Sequence, residues 1–203
     1  GRNLIPVKLE LGGKGAAVIF DDVDIDDAAE KLVGAITFHT GQVCCDATRW
    51  LIQKNIYEDF INAATERMKA VTIGHQMDAS TQMGPVVNQT QHQRVLGYLE
   101  KGTAEGAEVL LEGGAAKVSG REGHYVKPAL LAGSLDNVAA REEIFGPVLT
   151  IHLYDPTEWD SIIDLVNSTS TYALTGRIMG KDKDALDEAK DRLVHSAGNF
   201  YIN

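Results

Sequence analysis

Short apolar runs of strand length alternate with amphipathic stretches of helical length along nearly the whole chain, and this alternation restricts the fold more than any single residue does. Residues 4–11 are apolar but interrupted by Pro6, and read as a strand or strand-like entry broken by Gly12-Gly13-Lys14-Gly15. Residues 16–20 form the next apolar run. Asp21, Asp22, Asp24 and Asp26 then supply N-cap and first-turn carboxylates for a helix to about Phe38, with Ala28, Ala29, Leu32, Val33 and Ile36 at helical spacing. A strand over 50–53 precedes a helix capped by Asn55 and carrying Ile56, Phe60, Ala63, Ala64, Met68 and Val71.

The second half repeats the pattern. A loop at 74–85 leads to a helix over 89–105, then to strands at 109–111, 125–131 and 148–154, with a polar stretch at 117–123 and a loop at 142–147. Pro156 opens a helix to about Asn167, and 173–179, 182–194 and 200–202 read as strand, helix and strand. Strands separated by helices of this length favour one α/β domain over residues 1–203, a mostly parallel open sheet with helices on both faces. In such sheets ligands collect at the carboxyl ends of the strands, so the glycine-rich and cysteine-bearing loops are expected there.

Composition narrows the function classes. A net charge of −10 over 203 residues, with no block of Lys or Arg, argues against a nucleic-acid surface. No apolar run approaches the roughly 20 residues of a membrane span. Cys44 and Cys45 are the chain's 2 cysteines and, being adjacent, cannot staple a fold. A reducing, cytoplasmic compartment is expected, and the scattered histidines offer no metal-ligand spacing. The start GRNLIPVKLELGG resembles no signal peptide, and an apolar run stands at the very end, so a domain of something larger is expected.

The two thiols follow a Gly41-Gln42 step, between a helical pattern and a strand. A thiol at such a junction can meet backbone N–H groups that favour the thiolate, which suits a nucleophile; alternatively it is a small buried apolar residue. Glu10, in an apolar run just before the glycines, is either on the exposed face of an edge strand or a partly buried acid with a raised pKa. Glu142 and Glu143 precede Ile144-Phe145-Gly146-Pro147: the acids can reach a sugar hydroxyl pair while the ring packs on a flat ligand, or they are a solvated pair above a core phenylalanine. The Gly12–Gly15 loop fails the test for a phosphate-binding loop, because no Ser or Thr follows Lys14. His39 can pair with Cys44 as a base or stand at the surface.

Glu10 in LELGGK, Cys44 in GQVC and Glu143-Ile144-Phe145-Gly146-Pro147-Val148 occur in the order found in the aldehyde dehydrogenase superfamily, and the chain resembles its catalytic domain over essentially all 203 residues. The resemblance implies Cys44 as nucleophile with Cys45 as its neighbour, and Glu10 as general base. It implies cofactor contacts from Glu143 to the nicotinamide ribose, from Phe145 to the nicotinamide ring, and from Gly12, with NAD or NADP as cofactor and no metal. The implied reaction is attack of the thiolate on an aldehyde, a thiohemiacetal whose oxyanion meets N–H donors, hydride transfer to leave a thioester, and hydrolysis by water that Glu10 activates.

The family's separate cofactor-binding domain is expected to be absent from this chain, so that the polypeptide alone binds NAD(P) weakly. The whole protein is expected to be a homo-oligomer, a dimer or tetramer, acting on a small-molecule aldehyde. The tail, from Ser168 to Gly176 and from Ala197 to Asn203, resembles the glutamate-γ-semialdehyde (pyrroline carboxylate) dehydrogenase branch, whereas the first half resembles general aldehyde dehydrogenases. A cysteine hydrolase using Cys44 with a histidine base is the reading from another class.

Overall fold

The computed structural model describes residues 4–203. At its centre is a 7-stranded sheet in the order β3-β6-β7-β2-β1-β8-β9. The strands are β1 (Ala16–Ile19), β2 (Arg49–Gln53), β3 (Glu108–Leu111), β6 (Ala129–Ala132), β7 (Val148–Tyr154), β8 (Thr175–Met179) and β9 (Asn199–Ile202). All neighbouring pairs are parallel except β3, which runs antiparallel to β6 at one edge. Two short strands, β4 (Gly114–Ala115) and β5 (Val126–Lys127), form a separate antiparallel pair.

Both faces of the sheet are covered, which is why its central strands read as unbroken apolar runs. Alternate residues go to opposite faces. Ala17, Ile19, Trp50, Ile52, Leu149 and Ile151 meet α1 (Ile25–Thr37) and α2 (Tyr57–Lys69), through Leu32, Ile36, Phe60 and Met68. Ala16, Val18, Leu51 and Ile178 face the opposite way, against α5 (Trp159–Ser168) and α6 (Lys183–Arg192). A third apolar cluster joins Val95 of α3 (Gln89–Ala104) to Val126, Leu131, Ala139 of α4 (Val138–Arg141) and Val148. The α/β class, the mostly parallel sheet and helices on both faces are therefore as the sequence pattern predicts.

Several local expectations are corrected. Residues 4–11 form no strand: no sheet edge is offered to them, Pro6 lacks a ladder donor, and Leu4, Ile5, Val7 and Leu9 are 92%, 65%, 76% and 68% exposed. Of the four aspartates, Asp24 caps α1 as expected by accepting the Asp27 N–H at 3.1 Å and Asp26 stands in its first turn, whereas Asp21 and Asp22 lie before the helix. Asn55 does not cap α2; it lies in a 3-10 turn and donates from Nδ2 to Asp21 Oδ2. The strand expected over 125–131 is split at Pro128, one piece pairing with β4 and the other joining the main sheet. The short helix α4 has no counterpart in the sequence pattern; Asn137 caps it by accepting the Ala139 N–H at 2.9 Å.

Candidate active site at the amino edge of the sheet

Ala16, Arg49, Thr150 and Gly176 share one row across four neighbouring parallel strands. Glu10, Cys44 and Glu143 each stand a few residues before that row, so all three motifs lie on loops that enter strands. The expectation that the glycine-rich and cysteine-bearing loops lie at the carboxyl ends is thereby corrected: they meet at the amino edge. Ligands at carboxyl ends are a tendency of open α/β sheets, and the motif-then-strand order of this chain puts its loops at the other end.

Close backbone contact joins the loops. A Cβ built on Gly13 would lie 1.9 Å from the Cys44 carbonyl oxygen, so only glycine lets the two chains touch there. Gly41 does the same for the cysteine loop and the Phe145 loop: its φ is +67°, and a Cβ would lie 2.3 Å from the Gly146 carbonyl carbon. His39, Thr40 and Phe145 also adopt left-handed backbone, with φ of 51°, 60° and 61°. Such conformations cost about 1 kcal/mol or more each and persist where surrounding structure enforces them, a pattern concentrated at functional sites. The glycines thus serve backbone approach between loops, in keeping with their failure as a phosphate cradle.

Cys44 and Cys45 occupy the corners of a turn closed by the Asp46 N–H donating to the Val43 carbonyl at 3.3 Å. Cys44 is half-buried and Cys45 exposed. Thr175 at the start of β8 donates from Oγ1 to the Cys45 carbonyl at 3.0 Å, which fixes the turn against the sheet. Desolvation, and then the neighbouring Cys44 and Asp46, push the Cys45 thiol above its ordinary value, which disfavours its thiolate. Asp46 is buried, its Oδ2 has no hydrogen-bond partner, and desolvation raises its carboxyl to about 7 against the pull of Arg177. His39 is exposed, and among the described residues its ring makes no hydrogen bond to either thiol; its carbonyl instead accepts Gln42 Nε2 at 3.0 Å.

Glu143 is tied to the glycine loop, with the Gly13 N–H donating to its Oε1 at 2.7 Å. Its Oε2 faces Gly12, where a Cβ would lie 3.0 Å from that oxygen and 2.7 Å from the Tyr172 ring. The backbone around Phe145 is braced from α3. Arg94 Nη2 donates to the Glu143 carbonyl, and Gln91 Nε2 donates to the carbonyls of Ile144 at 3.0 Å and Phe145 at 2.7 Å. Glu143 thus presents a carboxylate with one oxygen anchored, two residues before the half-buried Phe145. Gly12 and Glu143 are in contact, and Phe145 lies on the same loop as Glu143. Gln91, Arg94, Tyr172 and Thr175 support them without any sequence signal that marked them.

Glu10 departs from the buried-acid alternative. Its side chain is 78% exposed and pairs with Lys8 at 3.6 Å, so it stands in solvent on the segment leading to Gly12. Lys14 is the opposite case, only 2% exposed and with no hydrogen-bond partner for Nζ. Burial, and then the nearby Arg49 guanidinium, lower its ammonium to about 7, against the raising effect of Glu143 and Glu142. Arg49 itself is buried and lowered to about 10 by desolvation, and its Nε donates to the Lys14 carbonyl at 2.9 Å. The sequence signal for Lys14 is a lysine set between glycines and an apolar strand, a pattern that does not by itself separate a loop lysine from a buried one.

Among the described residues no group of three or more His, Cys, Asp or Glu side chains is placed to hold a metal ion, and no helix is long and apolar enough to cross a membrane.

A family model described as the aldehyde dehydrogenase family matches residues 1–203. The chain is 40% identical over 202 residues to a betaine aldehyde dehydrogenase of Rhizobium johnstonii, covering 99% of this chain and 40% of that protein. It is also 40% identical to a putative aldehyde dehydrogenase of Staphylococcus saprophyticus, covering 97% of this chain and 41% of the relative. Among solved structures, a Staphylococcus aureus betaine aldehyde dehydrogenase in complex with NAD+ aligns with a TM-score of 0.88 at 30% identity, over 99% of this chain and 39% of the other. A Pseudomonas syringae aldehyde dehydrogenase complexed with NAD+ and octanal aligns with a TM-score of 0.86 at 29% identity, over 96% and 39%. The chain thus spans about 40% of the length of the curated relatives it matches.

Proposed function

The chain belongs to the aldehyde dehydrogenase family, and from that premise we propose that it is the catalytic domain, over residues 1–203, of an enzyme that oxidises an aldehyde to a carboxylic acid through a covalent cysteine intermediate. The observation that carries the proposal is the backbone contact between Gly13 and Cys44, together with the Gly13–Glu143 hydrogen bond, which draws all three motif loops to one place.

Cys44 is the nucleophile. It stands at a turn with neighbouring backbone N–H groups, and its own N–H is available to an oxyanion formed when the sulfur attacks the carbonyl carbon. Cys45 is exposed with its thiol pushed up, and serves as a neighbour rather than as the attacking group. NAD+ or NADP+, when bound, supplies the hydride acceptor that takes the sulfur-bound carbon to the thioester level. Gly12, Glu143 and Phe145 would hold its ribose and nicotinamide. Glu10 then takes a proton from water as that water attacks the thioester, returning the Cys44 thiolate and releasing the acid. Because Glu10 stands in solvent here, this role requires the segment before Gly12 to close over the bound acyl group.

The named relatives favour a general aldehyde substrate over the glutamate-γ-semialdehyde branch that the tail resembles, and the exposed His39 removes the motive for a cysteine hydrolase. The full protein is taken to be a dimer or tetramer. The test is NADH formation by the full-length protein carrying this chain, supplied with betaine aldehyde, a straight-chain aldehyde or glutamate semialdehyde. Turnover that requires NAD(P)+ and disappears in Cys44→Ser supports the proposal. Nucleotide-independent ester cleavage that disappears on changing a histidine contradicts it.

A further inference from the structure

We propose that Thr175 is a positioning residue for the nucleophile, its hydroxyl holding the Cys44–Cys45 turn in the geometry that attack on an aldehyde requires. The inference rests on the reading of Cys44 as the nucleophile.

Three consecutive carbonyls define the backbone of that turn, and each is committed. The Val43 carbonyl accepts the Asp46 N–H at 3.3 Å, and the Cys44 carbonyl lies against Gly13, where a Cβ would stand 1.9 Å from its oxygen. The Cys45 carbonyl accepts Thr175 Oγ1 at 3.0 Å. The first two contacts are made by backbone. Among the described residues, Thr175 is the one residue outside the turn whose side chain hydrogen-bonds to it, and it does so from 130 positions away in sequence.

Thr175 is 7% exposed at the first position of β8 and stands beside Gly15, where a Cβ would lie 3.0 Å from Thr175 Oγ1 and 2.9 Å from the Asp46 carbonyl oxygen. Its hydroxyl therefore sits in the seam between the glycine loop and the cysteine turn. Packing alone would be served by valine, which has the same branched shape and the same fitness for a strand. A buried hydroxyl is costly without a partner, and here the partner is the carbonyl one residue beyond the nucleophile. Because a peptide group is planar, fixing the carbonyls of Cys44 and Cys45 fixes the two peptide planes that follow the Cys44 side chain. A misplacement of about 1 Å can cost roughly a hundredfold in rate, so losing one anchor while the other two remain is expected to cost less.

The test uses the full-length protein carrying this chain, saturated with NAD+ and a straight-chain aldehyde. The rate of the first turnover is measured by stopped-flow NADH formation in wild type, Thr175→Val and Thr175→Ser, at a temperature where circular dichroism shows each to be folded. Thr175→Val is expected to slow the first turnover roughly tenfold, and Thr175→Ser, which keeps the hydroxyl, to stay within about threefold of wild type. The calorimetric dissociation constant for NAD+ is expected to change by less than about twofold in Thr175→Val, since the Gly13–Glu143 bond is untouched. A purely structural threonine would give Thr175→Val a lower melting temperature with an unchanged first turnover, and that result overturns the proposal. So does a serine variant as slow as the valine one, or a loss of NAD+ affinity as large as the loss in rate. An undiminished first turnover in Cys44→Ser removes the Cys44 assignment itself, a separate failure. Should Thr175→Val not fold, Thr175→Ala, which also lacks the hydroxyl and brings in no new atom, replaces it with the same expectation and the same overturning results.

Discussion

The two ends of the same parallel sheet are built on opposite principles. At the carboxyl edge, a cavity of about 340 Å³ lined by Phe20, Tyr154, Trp159 and several carboxylates occupies the place where such sheets usually bind ligands. Its polar groups are largely satisfied already. Asp21 Oδ2 accepts from Asn55 Nδ2 at 2.8 Å, Asp22 Oδ2 accepts the N–H groups of Lys181 and Asp182, and the Trp159 indole N–H donates to Glu188. Asp155 takes Lys54 as ion-pair partner and forms a capping box with Glu158. Asp22 Oδ1 is the exception, a buried oxygen with no partner.

At the amino edge the accounts do not balance locally. Lys14 Nζ, Asp46 Oδ2, Thr48 Oγ1 and Arg49 Nη1 are buried without partners, and His39, Thr40, Gly41 and Phe145 hold left-handed backbone. Unsatisfied buried groups cost about 1–3 kcal/mol each, so this end is held together by the satisfied remainder of the domain. The difference teaches that strain and unsatisfied polar groups in this sheet gather at the edge the motif loops share, not at the edge where its fold type usually binds ligands.

The largest expected contrast between the two edges is in activity. In the full-length protein, Cys44→Ser is expected to reduce aldehyde oxidation by roughly a thousandfold or more, whereas Asp21→Asn at the carboxyl edge is expected to leave kcat/KM within about twofold. Steady-state kinetics of the pair check this, and comparable losses from both would break the contrast.

Next in size are the backbone contacts. Gly41→Ala must place a Cβ against the Gly146 carbonyl at a positive φ, and is expected to destabilise by about 2–4 kcal/mol. Gly97→Ala on α3, where nothing lies within 4 Å, is expected to be neutral or to stabilise by about 0.5–1 kcal/mol. Denaturant unfolding of both variants measures the difference.

Smaller still is the pH response. Because burial raises the Asp46 carboxyl from 3.8 to about 7, the folded state binds its proton more readily than the unfolded chain does between those values. Stability from this group is therefore present below pH 3.8 and lost as pH rises through 7. Asp46→Asn is expected to remove that decline and to stabilise the protein at pH 8 by about 1–2 kcal/mol. Lys14 runs the other way over a different window. Its ammonium is depressed from 10.5 to about 7, so its cost is full below pH 7 and is relieved as pH rises from about 7 to 10.5. Melting temperature against pH for wild type and Asp46→Asn checks the first window.

Much of this contrast was open to reading in the residues themselves, and some was not. The helices α1 and α3 announce themselves through an Asp or Asn cap followed by apolar residues at helical spacing, and the central strands through unbroken apolar runs. Cys44, Glu143 and Phe145 were visible because motifs keep residue type and order. Strand order was hidden, since nothing local makes β1 pair with β2 and β8 rather than with its other sequence neighbours. The exposure of Glu10 was hidden too, because an apolar run looks alike whether or not a sheet edge receives it. Gln91 and Arg94 act across about fifty positions in sequence, a distance at which a single chain read in order carries no signal. That the motif loops gather at the amino edge was within reach, for each motif precedes its strand.

The most direct measurement of where the chemistry resides is to trap it. Full-length protein carrying Glu10→Gln is mixed with NAD+ and a straight-chain aldehyde, quenched, and examined by peptide mass spectrometry. An acyl adduct should accumulate on the peptide containing Cys44, persist when Cys45 is changed to Ser, and vanish when Cys44 is changed to Ser. An adduct that survives Cys44→Ser, or NADH formed with no adduct on that peptide, would contradict the assignment of the reaction to the amino edge of the sheet.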